Sequence, residues 1–117
     1  MAKQDAGQMP DRVLDGKIEE RLFAGKVVWD GNEPFRVDED HTTGINLEQS
    51  IPKYSQVIEE AWRIITLLRG KSMTVQVNLA PDDVTVVLFD QDGKELSRAT
   101  ASITPRALAE AVVSSGL

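Results

Sequence analysis

The chain contains no cysteine, and that single absence removes disulfides, zinc–thiolate sites and cysteine nucleophiles together. Histidine occurs once, as His41, so no helical pair of imidazole ligands is available. Ser72, Thr74 and Ser102 likewise lack a histidine base in any recognisable arrangement. No phosphate-binding loop, internal repeat or low-complexity tract is present. Apolar runs are only a few residues long, which provides neither a signal peptide nor a membrane span, so a cytoplasmic protein without a membrane partner is expected.

What remains is a chain of 117 residues, 41% hydrophobic, with a formal net charge of −6. That size and composition suit one domain with one core. Residues 1–9 are polar and unpatterned and read as a disordered tail. The remainder, 10–117, reads as a single α+β domain with an acidic loop at about 38–52.

The most regular stretch begins at Tyr54. Ile58, Ala61, Ile65 and Leu68 recur every three or four residues, which predicts a helix over 55–69 with those side chains buried. Ser55 is placed to cap its first turn, Glu59 and Glu60 sit at the positive end of its dipole, and Gly70 closes it in the left-handed conformation. Trp62, beside the stripe, is read as core. The period then changes to two. Met73, Val75, Val77 and Leu79 alternate with Ser72, Thr74, Gln76 and Asn78, a strand with one dry face. A turn at Ala80-Pro81-Asp82-Asp83 leads to the apolar strand 84–89, and Asp90-Gln91-Asp92-Gly93 to a more polar edge strand over 94–102. Thr104-Pro105 opens a last helix with Leu108, Ala111 and Val112 on its apolar face, stopped by Gly116.

Towards the amino terminus, Leu14, Ile18 and Leu22 define a helix over 10–24 that Gly25 ends, with Gly16 inside it costing roughly 1 kcal/mol against alanine. Residues 26–29 and 34–37 form a short hairpin. The expected fold is therefore an αβα-type sandwich: a three-stranded antiparallel meander between two main helices, plus an amino-terminal helix and hairpin. Pattern alone leaves open whether the helices cover one face of the meander or both.

Certain short motifs carry a resemblance. Arg12-Val13-Leu14-Asp15, followed by Ile18 to Leu22 and Gly25-Lys26-Val27-Val28-Trp29, is similar to the opening of the small bacteriophage and prophage proteins grouped as the phage ABA sandwich domain. Pro52-Lys53-Tyr54-Ser55 with Ala61-Trp62 resembles that family's central helix, and 101–113 its final one. The acidic insert before Pro52 departs from the pattern. The resemblance implies an αβα sandwich and a phage or prophage source, and it implies no reaction and no catalytic residues.

Charge distribution bears on partners. Residues 30–50 hold Asp30, Glu33, Asp38, Glu39, Asp40 and Glu48 against Arg36 alone. Such a segment repels phosphate backbones and attracts basic surfaces, so docking on a basic host protein is expected and direct nucleic-acid binding is not. A solvated acidic loop is the plain alternative. Trp29, beside a glycine turn, is either a partner anchor or a core residue. Asp38-Glu39-Asp40-His41 has metal-ligating chemistry, but adjacent residues seldom converge on one ion, so neither metal nor cofactor is expected. Glu59, Glu60, Asp82 and Asp83 are explained by helix and turn preferences.

The functional expectation is a non-enzymatic phage protein that modulates a host protein, for example an anti-CRISPR-like inhibitor occupying a basic nucleic-acid-binding groove. The alternatives are an accessory or structural component that self-associates through the strand 94–102 or a helix face, and a carboxylate–metal enzyme.

Overall fold

The computed structural model describes residues 6–39, 43–44 and 46–117. Its elements are α1 (Asp11–Leu22), β1 (Val27–Asp30), β2 (Glu33–Glu39), β3 (Asn46–Ser50), α2 (Ile58–Gly70), β4 (Thr74–Leu79), β5 (Val84–Phe89), β6 (Glu95–Ala101) and α3 (Thr104–Ser115). The strands form two antiparallel three-stranded sheets, β1-β2-β3 and β4-β5-β6. The α+β class and the meander between two main helices are as the sequence predicts.

The second sheet follows its alternation. β4 pairs with β5 so that Val75, Val77 and Leu79 stand beside Leu88, Val86 and Val84 on one face. On β6, Ala99 and Ala101 continue that face, opposite Val86 and Val84. α3 lies on it, burying Leu108, Ala111 and Val112, and α2 packs against both α3 and β4. Both helices therefore cover the same face. The other carries Thr85 and Thr100, whose hydroxyls meet at 2.8 Å in solvent. Contacts run from the first sheet to α1, from α1 to α3, and from α3 to the second sheet, and one core cluster joins Leu14, Ile18 and Tyr54 to Ile64, Leu68, Val86 and Leu108.

Several local expectations change. Of the tail expected over 1–9, residues 1–5 lie outside the described residues, and the rest packs on the core: Ala6–Gln8 forms a 3-10 turn, and Ala6 and Met9 are buried. The cause is Arg106 of α3, whose guanidinium donates to the carbonyls of Ala6, Gly7 and Met9. The loop expected over 38–52 contains the end of β2 and all of β3. β3 escaped notice because Glu48, Gln49 and Ser50 are exposed, so no apolar period marks it, and β2 recruits it through its backbone.

α2 begins at Ile58 with Val57 at its cap, and Ser55 is instead buried in the preceding segment. The helix turns Ala61, Ile64 and Leu68 inward, leaving Ile65 half-buried and Ile58 exposed. Trp62, expected in the core, is 59% exposed. Gly70 stays helical, and the left-handed residue is Ser72, at φ 62°. Finally, the dry face of β4 is only partly covered, with Val77 39% and Leu79 76% exposed.

Candidate functional site

α1 carries two carboxylates one turn apart, Asp15 and Glu19, and both are buried. Charged residues inside a helix ordinarily face water, and burial of an ion is costly unless it is paired. Here each has partners. Asp15 accepts the backbone N–H of Ser55 at 2.8 Å and Arg12 Nη1 at 2.8 Å, while Arg12 Nη2 donates to the carbonyl of Ile51 at 3.0 Å. Glu19 accepts the Tyr54 hydroxyl at 2.5 Å and Arg36 Nη1 of β2 at 3.4 Å.

Gly25 makes room for this arrangement, because a Cβ there would stand 2.8 Å from Glu19 Cγ. Phe23 stacks on Tyr54 at 5.2 Å, and the Arg63 guanidinium lies over both rings. Burial raises the Asp15 pKa despite the hydrogen bonds from Ser55 and Arg12. Burial, and then the Glu19 carboxylate, push the Tyr54 hydroxyl up as well. Apart from Arg36 Nε, which is buried without a hydrogen-bond partner, the polar groups named here pair with one another in a joint between α1, the segment before α2, and β2. Its geometry suits holding two halves of the molecule together.

The partner-binding candidates Trp29, Asp30, Glu33, Asp38, Glu39 and Glu48 fall in the first sheet, on two different faces. Trp29 and Pro34 face α1, and they sit directly over Gly16: a Cβ on Gly16 would stand 2.4 Å from Trp29 Cη2 and 2.8 Å from Pro34 Cβ. Gly16 is thus the contact point of helix and sheet. Trp29 is 37% exposed and donates from Nε1 to Glu20 at 2.9 Å. Arg36 and Asp38 share this inner face, and they pair at 3.0 Å.

The outer face carries Val28, Asp30, Glu33, Phe35, Val37, Glu48 and Ser50 by strand alternation and register. Val28 is 44% exposed, and Phe35 and Val37 are half-buried. Asp30, Glu33 and Glu48 are exposed at its margins, Glu33 touching Arg12 at 3.4 Å. Lys26, exposed beside Val37, is a cation at its edge. Glu39 closes β2 opposite Asn46. Asp40 and His41, the other half of the metal-ligating quartet, lie outside the described residues. Among the described residues no three histidine, aspartate or glutamate side chains group to hold a metal, and no described helix is long and apolar enough to cross a membrane.

A second exposed region was missed at the sequence level. Trp62, with Phe23, Glu59, Arg63, Thr66 and Leu67, lines a shallow groove on the outside of α2. The available signal was the second apolar row on that helix, Ile58, Trp62 and Ile65, offset from the buried row.

No protein-family model matches the chain, and no curated protein matches it. The motif resemblance to the phage ABA sandwich domain thus has no family-model match beside it. Among solved structures, the 2.0 Å crystal structure of a phage protein from Bacillus cereus ATCC 14579 superposes with a TM-score of 0.66. It is 19% identical, and the match covers 98% of this chain and 99% of that one. At that identity the likeness is one of fold.

Proposed function

We propose that the chain is a phage or prophage protein that acts without catalysis, by docking on a basic surface of a host protein in the bacterial cytoplasm. The observation that carries this reading is the outer face of the first sheet: an apolar strip of Val28, Phe35 and Val37 with Asp30, Glu33 and Glu48 at its margins, opposite the face on which Trp29 and Pro34 meet α1. A partner with a complementary basic rim gains apolar burial in the middle and charge steering around it. The phage origin of the structural neighbour and the sandwich-domain motifs support the source. Carboxylates at the rim disfavour nucleic acid as the direct ligand. The finer reading is an anti-defence inhibitor, anti-CRISPR-like, that occupies a groove where its target binds nucleic acid.

The test couples capture from host lysate to kinetics with the captured protein. Asp30→Asn/Glu48→Gln should fold as the parent does and associate several-fold more slowly in low salt, the difference shrinking as salt screens the parent. Nucleic acid should compete for the same partner if the anti-defence reading holds. Equal association rates at every salt concentration would remove the acidic face from the mechanism.

A further inference from the structure

The two edges of the second sheet are built differently. Unpaired strand edges invite pairing with another chain, and they are commonly blunted by charges, proline or bulges. β6 has such protection: Glu95 and Arg98 lie on it, paired at 2.7 Å, and its register with β5 is broken at Leu88/Phe89. β4, the other edge, has none. Its six residues, Thr74-Val75-Gln76-Val77-Asn78-Leu79, include no charge and no proline, and they pair with β5 in unbroken register.

Helical cover is incomplete on the same side. α3 lies over β5 and β6, where Val84, Val86 and Leu88 are buried, while Val77 and Leu79 of β4 are exposed on the same face. α2, which packs on β4, is 49% exposed at Ile58 and 59% at Trp62. Ile58, Trp62, Ile65 and Arg69 follow each other at intervals of four, three and four, the spacing of a helix-pairing seam. This row is distinct from the inward row of Ala61, Ile64 and Leu68.

We propose that this surface pairs with a second copy of the chain, β4 against β4 antiparallel across a two-fold axis. Two meanders then form one six-stranded sheet, and the α2 helices approach each other over the exposed ends of β4. A second copy satisfies the requirements together. A two-fold axis makes strand pairing antiparallel and the interface self-complementary. It also reverses α2, which starts with Glu59 and Glu60 and ends with Arg69 before Lys71, so the acidic end of one helix faces the basic end of the other. Asp30, Glu33, Asp38, Glu39 and Glu48, which supply most of the net charge of −6, belong to the other sheet and do not repel across this contact.

The test is sedimentation of the full chain across a concentration series. A species of twice 12.9 kDa is expected. Val77→Lys and Trp62→Glu alter exposed side chains and should melt as the parent does when dilute, yet each should weaken the dimer by more than about thirtyfold. Arg98→Ala on the guarded edge should leave it unchanged. Because the parent has no cysteine, one introduced residue maps the contact. Gln76→Cys or Asn78→Cys on β4 should cross-link two copies in oxidant, and Thr100→Cys on β6 should not. A parent that is monomeric at every concentration overturns the proposal. So does cross-linking through β6, or a dimer indifferent to both Val77→Lys and Trp62→Glu. The Asp30→Asn/Glu48→Gln variant should dimerise like the parent, which keeps this test separate from that of host-protein docking.

Discussion

The two sheets share a topology, three antiparallel strands in sequence order, and are fastened to the helices by different forces. The second is attached by apolar area. Val84, Val86 and Leu88 meet Leu108, Ala111 and Val112, and a polar tie is added by Ser97 Oγ donating to the carbonyl of Ala111 at 2.6 Å. The first is attached by fit and charge, through Trp29 and Pro34 pressed on Gly16 and through Arg36 reaching Glu19. Apolar attachment tolerates small shifts, because it scales with area and has no direction. A buried ionic joint does not, because losing one partner strands the other charge.

That contrast can be broken most severely in the second sheet. Val86→Asp should abolish cooperative unfolding, since it buries an unpaired carboxylate at a fully enclosed site. Val77→Asp, on the neighbouring residue of the same rung, should cost under about 1 kcal/mol in dilute solution because Val77 reaches solvent. Circular-dichroism melts of the pair measure the difference. Equal losses would mean that α3 and α2 cover β4 as fully as β5.

In the first half of the molecule the sensitive element is a single hydroxyl. Tyr54→Phe removes the donor to Glu19 and should cost about 1–3 kcal/mol in denaturant titration. Thr85→Val deletes a hydroxyl of comparable geometry from the wet face of the second sheet and should stay within about 0.5 kcal/mol. If the two variants match, the joint around Glu19 is solvated in practice.

The smallest expected effect has opposite signs in two helices. Gly16→Ala gains helix propensity of about 1 kcal/mol but forces a methyl against Trp29 and Pro34, so a net loss of about 1–2 kcal/mol and a shift in tryptophan emission are expected. Gly70→Ala meets nothing within 4 Å and should raise stability by up to about 1 kcal/mol. Stabilisation by both would show that the sheet can move off α1.

How much of this could be read in advance follows the same division. The meander over 74–101 was legible because its burial is apolar and alternates within each strand. β3 was not, since Glu48, Gln49 and Ser50 face water and its pairing is imposed by β2. The acidic candidates share one stretch of the chain, but alternation divides those that are described: Asp38 turns inward to Arg36, while Asp30 and Glu48 face out. Asp15 and Glu19 carry no mark of burial in the sequence, since carboxylates on a helix ordinarily face water. Their partners Ser55 and Tyr54 lie 40 and 35 residues away, beyond any local pattern.

The sequence by itself determined where the helices and most strands form, because period, caps and turns act over a few neighbouring residues. Tertiary structure alone decided which row of α2 turns inward, since Ile58-Trp62-Ile65 and Ala61-Ile64-Leu68 are both apolar and only packing on α3 and β4 separates them. It also decided that Gly16 is required, and that two carboxylates of α1 are buried. The physical reason is common to all three: the free energy of burying a side chain belongs to the surface it meets, and that surface is assembled from residues distant in the chain.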